Sequence, residues 1–194
     1  VQWSTVTYDS LDRPVQTISP DGSVVTRAYN QSPDPPGASG QLGETAKVTD
    51  PWGRERWARV DALGRMVEVA EPNPDGSGAL SGGAMYTTYS YDALGRLLQV
   101  NQGAQMRRFR YDSLGRLTHQ KLAERDATLN DGGQWVGGGQ WSDVFTYDKR
   151  SNVTQRVDAR GVKTIFKYKD TGGNDDPLNR LLAVQYDKSG SPAH

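Results

Sequence analysis

Tyr91-Asp92-Ala93-Leu94-Gly95-Arg96-Leu97 returns almost unchanged as Tyr111-Asp112-Ser113-Leu114-Gly115-Arg116-Leu117, 20 residues later. A repeat of this period calls for an array of supersecondary units rather than one irregular core. What one copy folds into therefore decides what the chain can be. A type I turn favours Asp at its first position and Gly at its fourth, and Asp92-Ala93-Leu94-Gly95 fits that frame. The carboxylate accepts backbone N–H groups within the turn, and the glycine takes the positive φ that closes it. A type I turn followed by a left-handed residue is a common hairpin connection, with the glycine as a bulge. Tyr91 then ends one strand and Arg96-Leu97 begin the next. The Asp92–Arg96 pair that flanks the turn is exposed and contributes only about 0–1 kcal/mol, so its role is register.

Further copies run along the chain. Tyr8-Asp9-Ser10-Leu11-Asp12-Arg13 is the first, with Asp12 in the glycine slot. Asp tolerates the left-handed region better than most residues. Pro20-Asp21-Gly22-Ser23 follows as a second turn signal, so one unit reads turn, strand, opposite turn, strand. Asp50-Pro51-Trp52-Gly53-Arg54 and Asp61-Ala62-Leu63-Gly64-Arg65 are only 11 residues apart, half a unit, so the opposite turn carries the motif there. Asn101-Gln102-Gly103 turns the chain between the two clean copies. Tyr147-Asp148 to Asn152, Asp158 to Gly161, Asp176 to Arg180 and Tyr186 to Gly190 continue the series with degenerate corners. Pro-, Gly- and Ser-rich stretches interrupt it, and loop insertions are expected near 31–47, 71–86 and 121–142 of a single segment spanning 1–194. The last contains Gly133-Gln134-Trp135 and Gly139-Gln140-Trp141.

Aligning the residues after each corner predicts the faces of the sheet. The first column reads Pro14, Met66, Leu97, Leu117, Val153 and Leu181. The third reads Gln16, Glu68, Gln99, His119, Gln155 and Ala183. Simple alternation puts these two columns on one face, apolar near the turn and polar beyond it. The second and fourth columns, Val15 with Thr17 and Val67 with Val69, form the other, moderately apolar face. The expectation is one weakly apolar side and one wet side.

Composition agrees with a thin structure. Only 35% of residues are hydrophobic, where roughly 45–50% is usual on a count that includes glycine. Yet five Trp, nine Tyr and three Phe recur in register and the net charge is zero, so the chain does not read as disordered. Neutrality gives no case for nucleic acid or an acidic membrane surface. There is no cysteine, hence neither disulfide nor thiolate metal site. No stretch approaches the ~20 apolar residues of a membrane-spanning helix. The chain starts at Val1 without Met or a signal sequence and is expected to be an excised piece of a longer protein.

Tyr-Asp-x-x-Gly-Arg-Leu at this spacing resembles the YD-repeat, or Rhs-repeat, family, with clear copies at Tyr91–Leu97 and Tyr111–Leu117 and degenerate ones through nearly the whole chain. The resemblance implies an all-β fold of tandem antiparallel β-hairpins in an extended, curved sheet, a segment of a hollow shell. Relatives are bacterial polymorphic toxins, the cocoon-forming subunits of insecticidal toxin complexes, and teneurins. It also implies a secreted or cell-surface bacterial protein, partnered by adjoining repeats or an encapsulated effector.

Chemistry is sparse. The repeated Asp and Arg sit at turn positions of every unit and read as structural. His119, the only internal histidine, reads as a solvated strand residue rather than a catalytic base. No nucleophile–base pair can be assembled, so no enzyme activity and no cofactor are expected. Asp170 to Asp176 is rich in oxygen ligands but lacks the spacing and terminal Glu of a calcium loop, and no metal is expected. Trp135 and Trp141 are the candidate ligand-binding residues: they either stack on carbohydrate or pin the Gly-rich insertion to the sheet. Trp52 and Trp57 join them in the alternative reading, a module that binds carbohydrate or a partner protein. Open sheet edges predict self-association.

Overall fold

The computed structural model describes residues 3–74, 76, 78–136, 138–170 and 172–188. Thr171 of the acidic loop, Gly137 of the third insertion and Ser189-Gly190 of the last motif lie outside them. The described residues form fourteen strands, one short 3-10 turn at Leu80–Gly82 and no α-helix. The strands are hydrogen-bonded in chain order without a crossover, as tandem hairpins require. Contacts gather the chain into two compact units, one reaching Gly95 with Val100–Ala104 added, the other holding Arg96–Gln99 and the residues from Gln105 onward.

The first unit contains β1 (Thr5–Tyr8), β2 (Pro14–Ile18), β3 (Val24–Tyr29), β4 (Glu44–Thr49), β5 (Glu55–Val60), β6 (Met66–Glu71) and β7 (Met85–Tyr91). Strand β8 (Leu97–Gln102) is divided between the units. The second contains β9 (Gln105–Tyr111), β10 (Leu117–Lys121), β11 (Asp143–Tyr147), β12 (Val153–Asp158), β13 (Lys163–Lys167) and β14 (Ala183–Asp187). Residues 44–47, expected within the first insertion, belong to β4, where Thr45 faces Arg59 and Lys47 faces Trp57.

The register corrects the expected faces. In β9–β10, Tyr111 pairs with Leu117 but Arg110 pairs with His119, so Thr118 is skipped. The same slip skips Val67 between the Val60–Met66 and Arg59–Glu68 pairs. It recurs at Val15 and Thr154. A residue inserted at the second position turns the third to the opposite face from the first. The first column therefore shares its face with the fourth. Glu68 and His119 lie on the other side, and that side is not wet.

In the first unit the loops after β3 and β6 fold over the face that carries Trp57, Arg59, Glu68, Ala70 and Tyr86. Trp57, Ala70 and Leu80 form a buried cluster with Ala38, Ala84 and Tyr86 packed against it. In the second unit the loop after β10 covers the face of His119, Val144 and Val157, and Leu129 and Trp141 complete the cluster. An aromatic ring such as Trp57 removes about 150–250 Å² from water, or at most ~4–6 kcal/mol. That outweighs any single corner ion pair, so each insertion supplies the core that the bare hairpins lack.

Candidate functional site

The corner is the unit of construction. In the copy at Asp112, the Gly115 N–H donates to the Asp112 carbonyl at 3.0 Å, and the Asp112 N–H donates to the Arg116 carbonyl at 3.0 Å. One carboxylate oxygen, Oδ1, accepts from the backbone N–H groups of Leu114 and Arg116, both at 2.9 Å. The other, Oδ2, accepts from Arg116 Nε at 2.7 Å. The same arrangement holds at Asp9, Asp61 and Asp176 with Arg13, Arg65 and Arg180. Gly95 and Gly115 take φ of +80° and +81°, and at the equivalent slot Asp12, Ser151 and Asn179 take +62°, +67° and +55°. The backbone N–H of Arg116, more than any other group, holds the Asp112 carboxyl below the usual carboxylate range. At Asp176 the Arg180 guanidinium is the main cause, and the carboxyl falls to about 2.

Four of the corners also reach forward, through Arg13, Arg65, Arg96 and Arg116. The Arg116 guanidinium lies 4.7 Å from the centroid of the Tyr147 ring, and its Nη1 donates to the Asp148 carbonyl at 3.0 Å. Tyr147 returns a hydrogen bond, donating its hydroxyl to the Leu117 carbonyl at 2.6 Å. Arg65 covers Tyr91 at 5.0 Å and donates to the Asp92 carbonyl, while the Tyr91 hydroxyl donates to Met66. Arg96 repeats the first half of the link on Tyr111 and Asp112. Arg13 lies over Tyr29, which donates to Pro14. Arginine is thus a strap between successive corners as well as a partner within its own. Where Asn152 replaces it, a reciprocal amide pair with Asn179 takes over the link.

Two further corners lack the motif. Asn130 accepts from Gly132 and Gln134 N–H through its side chain, and its carbonyl accepts from Gly133. Asp170, weighed in sequence as part of a cation loop, accepts from the Asn174 N–H at 2.8 Å and closes a turn at Gly173. Its carboxylate is committed to Asn174, Oδ1 accepting the backbone N–H and Oδ2 the side-chain amide. Asn or Asp first and Gly fourth was the available signal in both cases; the absence of a following arginine hid it.

The remaining sequence candidates separate. Trp141 is 4% exposed and donates Nε1 to Asp131 Oδ1 at 2.7 Å, while Trp135 is 39% exposed. Trp141 and Trp135 each bridge to Leu129, so the insertion is its own small antiparallel turn. Gly139 is required there, since a Cβ would fall 2.4 Å from the Thr128 carbonyl carbon. His119 is buried rather than solvated, its ring 5.0 Å from that of Trp141 and its Nε2 3.0 Å from the Asp131 carbonyl. Trp52 is exposed at its corner with Arg54 over the ring, and Trp57 is buried. Asp143, fully buried on β11, is neutralised by Arg125 and Arg156 with Gln120 donating a third contact. No group of residues that could hold a metal ion occurs among the described residues.

Comparison with known proteins agrees with this geometry. The family model described as the teneurin YD-shell matches residues 60–174. Nothing among curated proteins matches the chain. Among solved structures, the TcdB2-TccC3 complex is similar over 98% of this chain and 9% of its own, at 15% identity and a TM-score of 0.60. The same complex without its hypervariable C-terminal region gives 15% identity over the same shares and a TM-score of 0.61. The Photorhabdus luminescens Tc holotoxin pore gives 14% identity, again over 98% and 9%, and a TM-score of 0.60. The chain therefore spans about a tenth of the length of the structures whose fold it shares.

Proposed function

Because the chain belongs to the teneurin YD-shell family, we propose that it is a non-catalytic stretch of shell wall that encloses or scaffolds a toxin effector. The observation that carries this reading is the forward link made by four of the corners, at Arg13–Tyr29, Arg65–Tyr91, Arg96–Tyr111 and Arg116–Tyr147. The residues that would otherwise suggest catalysis, the repeated Asp and Arg, are committed to joining hairpins. Such a wall acts by excluding what lies outside it. Its partners are adjoining repeats and an effector held within, and its setting is a secreted bacterial toxin assembly. The likeness in fold to toxin-complex components supports this.

Limited proteolysis of the intact protein that carries these repeats tests the reading. The effector segment is expected to resist protease in the parent and to become sensitive when Asp92 and Asp112 are both replaced by Ala, because those corners then lose their internal acceptor. Equal sensitivity of the effector in parent and variant would remove the case for enclosure.

A further inference from the structure

Three of the forward links share one register. The third residue after the arginine pairs with the third residue before the tyrosine: Gln16 with Thr26 at Arg13–Tyr29, Glu68 with Thr88 at Arg65–Tyr91, and His119 with Val144 at Arg116–Tyr147. The strap and the strand pairing are therefore one geometry. Two residues carry only half of it. Arg180 holds Asp176 as the other corner arginines hold their aspartates. Its side chain is nevertheless 65% exposed, against 23–34% for Arg13, Arg65 and Arg116. Among the described residues no ring lies under it, and its Nη1 has no acceptor. That nitrogen makes the forward bond at Arg65, Arg96 and Arg116. Tyr8 is the converse. It is 57% exposed where Tyr29, Tyr91, Tyr111 and Tyr147 are half-buried, and no arginine among the described residues covers it.

We infer that the free edge of β14 receives β1 of a second copy of this chain, with Arg180 laid over the Tyr8 ring of that copy. Strand β14 leaves the corner at Asp176, and β1 runs toward the corner at Asp9. The two strands thus meet antiparallel, as neighbouring strands do along the sheet. The shared register sets Ala183 opposite Thr5. Arg180 Nη1 then donates to the Asp9 carbonyl and the Tyr8 hydroxyl to the Leu181 carbonyl, as Arg116 and Tyr147 do at Asp148 and Leu117. A second copy is the occupant because it offers both missing halves at once. Like edges do not: β14 on β14 brings arginine to arginine, and β1 on β1 brings no cation to either ring. The contact is head-to-tail and leaves one free edge at each end, so further copies can add. The inference deepens the wall reading, and rests on it, by naming what meets the two edges.

Cross-linking tests it, since the chain has no cysteine of its own. Thr5→Cys and Ala183→Cys, both at exposed positions, are placed in separate chains, mixed and mildly oxidised. Residues directly opposite on antiparallel strands lie about 4.5–5.5 Å apart, within reach of a disulfide. The mixed disulfide should form well ahead of that between Thr7→Cys and Ala183→Cys, because Thr7 lies about 7 Å further along the strand. Tyr8→Leu and Arg180→Ala should each weaken association in sedimentation roughly 3- to 30-fold, as loss of a cation–ring contact does. Both together should weaken it little more than either alone. Tyr8→Leu leaves every corner intact, so it decides should Arg180→Ala loosen the turn at Asp176. Disulfides between like chains formed as fast as the mixed one, no preference for Thr5 over Thr7, or unchanged association in Tyr8→Leu would each overturn the proposal. None of these results touches the wall reading, which stands or falls on protection of the effector in the intact protein.

Discussion

Gly115 sits at φ +81°, with only the end of the Arg96 side chain near where a Cβ would stand. Replacement by Ala therefore meets no wall, and the cost is backbone strain alone, about 1–2 kcal/mol. Gly115→Asn should cost less, since Asn179 holds the same slot in another corner. Urea denaturation of the two variants checks both the size and the order. The carboxylates make a second statement at this scale. Asp176 is depressed to about 2 and Asp9, Asp61 and Asp112 are also lowered. Unfolded Asp titrates near about 3.9. Below that pH the unfolded chain takes up protons that the folded corners refuse, so stability falls. The contribution is whole above about pH 4 and declines as pH drops toward 2. Thermal melts should show a steep loss of Tm across that window, and Asp176→Asn should flatten part of it.

Strands and insertions carry the burial. Glu68 is 1% exposed, accepting from the Ser39 N–H at 2.8 Å and the Ser39 hydroxyl at 2.9 Å, with Arg59 Nε 3.5 Å away. Glu68→Ala leaves a buried guanidinium short of a partner and should cost about 3–5 kcal/mol. It should also free the loop after β3, read as new protease cleavage between residues 30 and 43; Glu68→Gln should do so less. Leu129, fully buried, anchors the loop after β10, and Leu129→Ala should cost about 2–5 kcal/mol by denaturant titration. The hairpins were legible in the sequence because a corner is local chemistry: Asp, Gly and Arg close it within five residues. The faces were not. A single skipped residue after the corners at Asp9, Asp61, Asp112 and Asp148 reverses the later side chains, and nothing at Val67 or Thr118 announces it. Nor could the sequence place Glu68 and His119 under cover, because their burial depends on segments 29 and 12 residues away, at Ser39 and Asp131, folding back over a polar column. The two tryptophans of the third insertion are recognisable as a pair, but only the fold divides them into a buried Trp141 and a half-exposed Trp135.

For the molecule as a whole, the outermost strands set the behaviour toward other chains. All four residues of β1 are exposed, as are Ala183, Val184, Gln185 and Tyr186 of β14. Among the described residues each of these strands pairs on one side only, and such edges recruit further strands. Sedimentation of the isolated chain should show association that grows with concentration, and a monomer at every concentration would argue against open edges. Within the second unit, Arg96 and Arg116 each strap one corner to the next. A double-mutant cycle on Arg116→Ala and Tyr147→Phe, extended to Tyr147→Ala to remove the ring, measures that strap directly. The expected coupling between Arg116 and the Tyr147 ring is about 0.5–2 kcal/mol. Additivity of the Arg116→Ala and Tyr147→Ala effects to within about 0.3 kcal/mol would mean that successive corners are merely neighbours, and the reading of this chain as a coupled wall would fail.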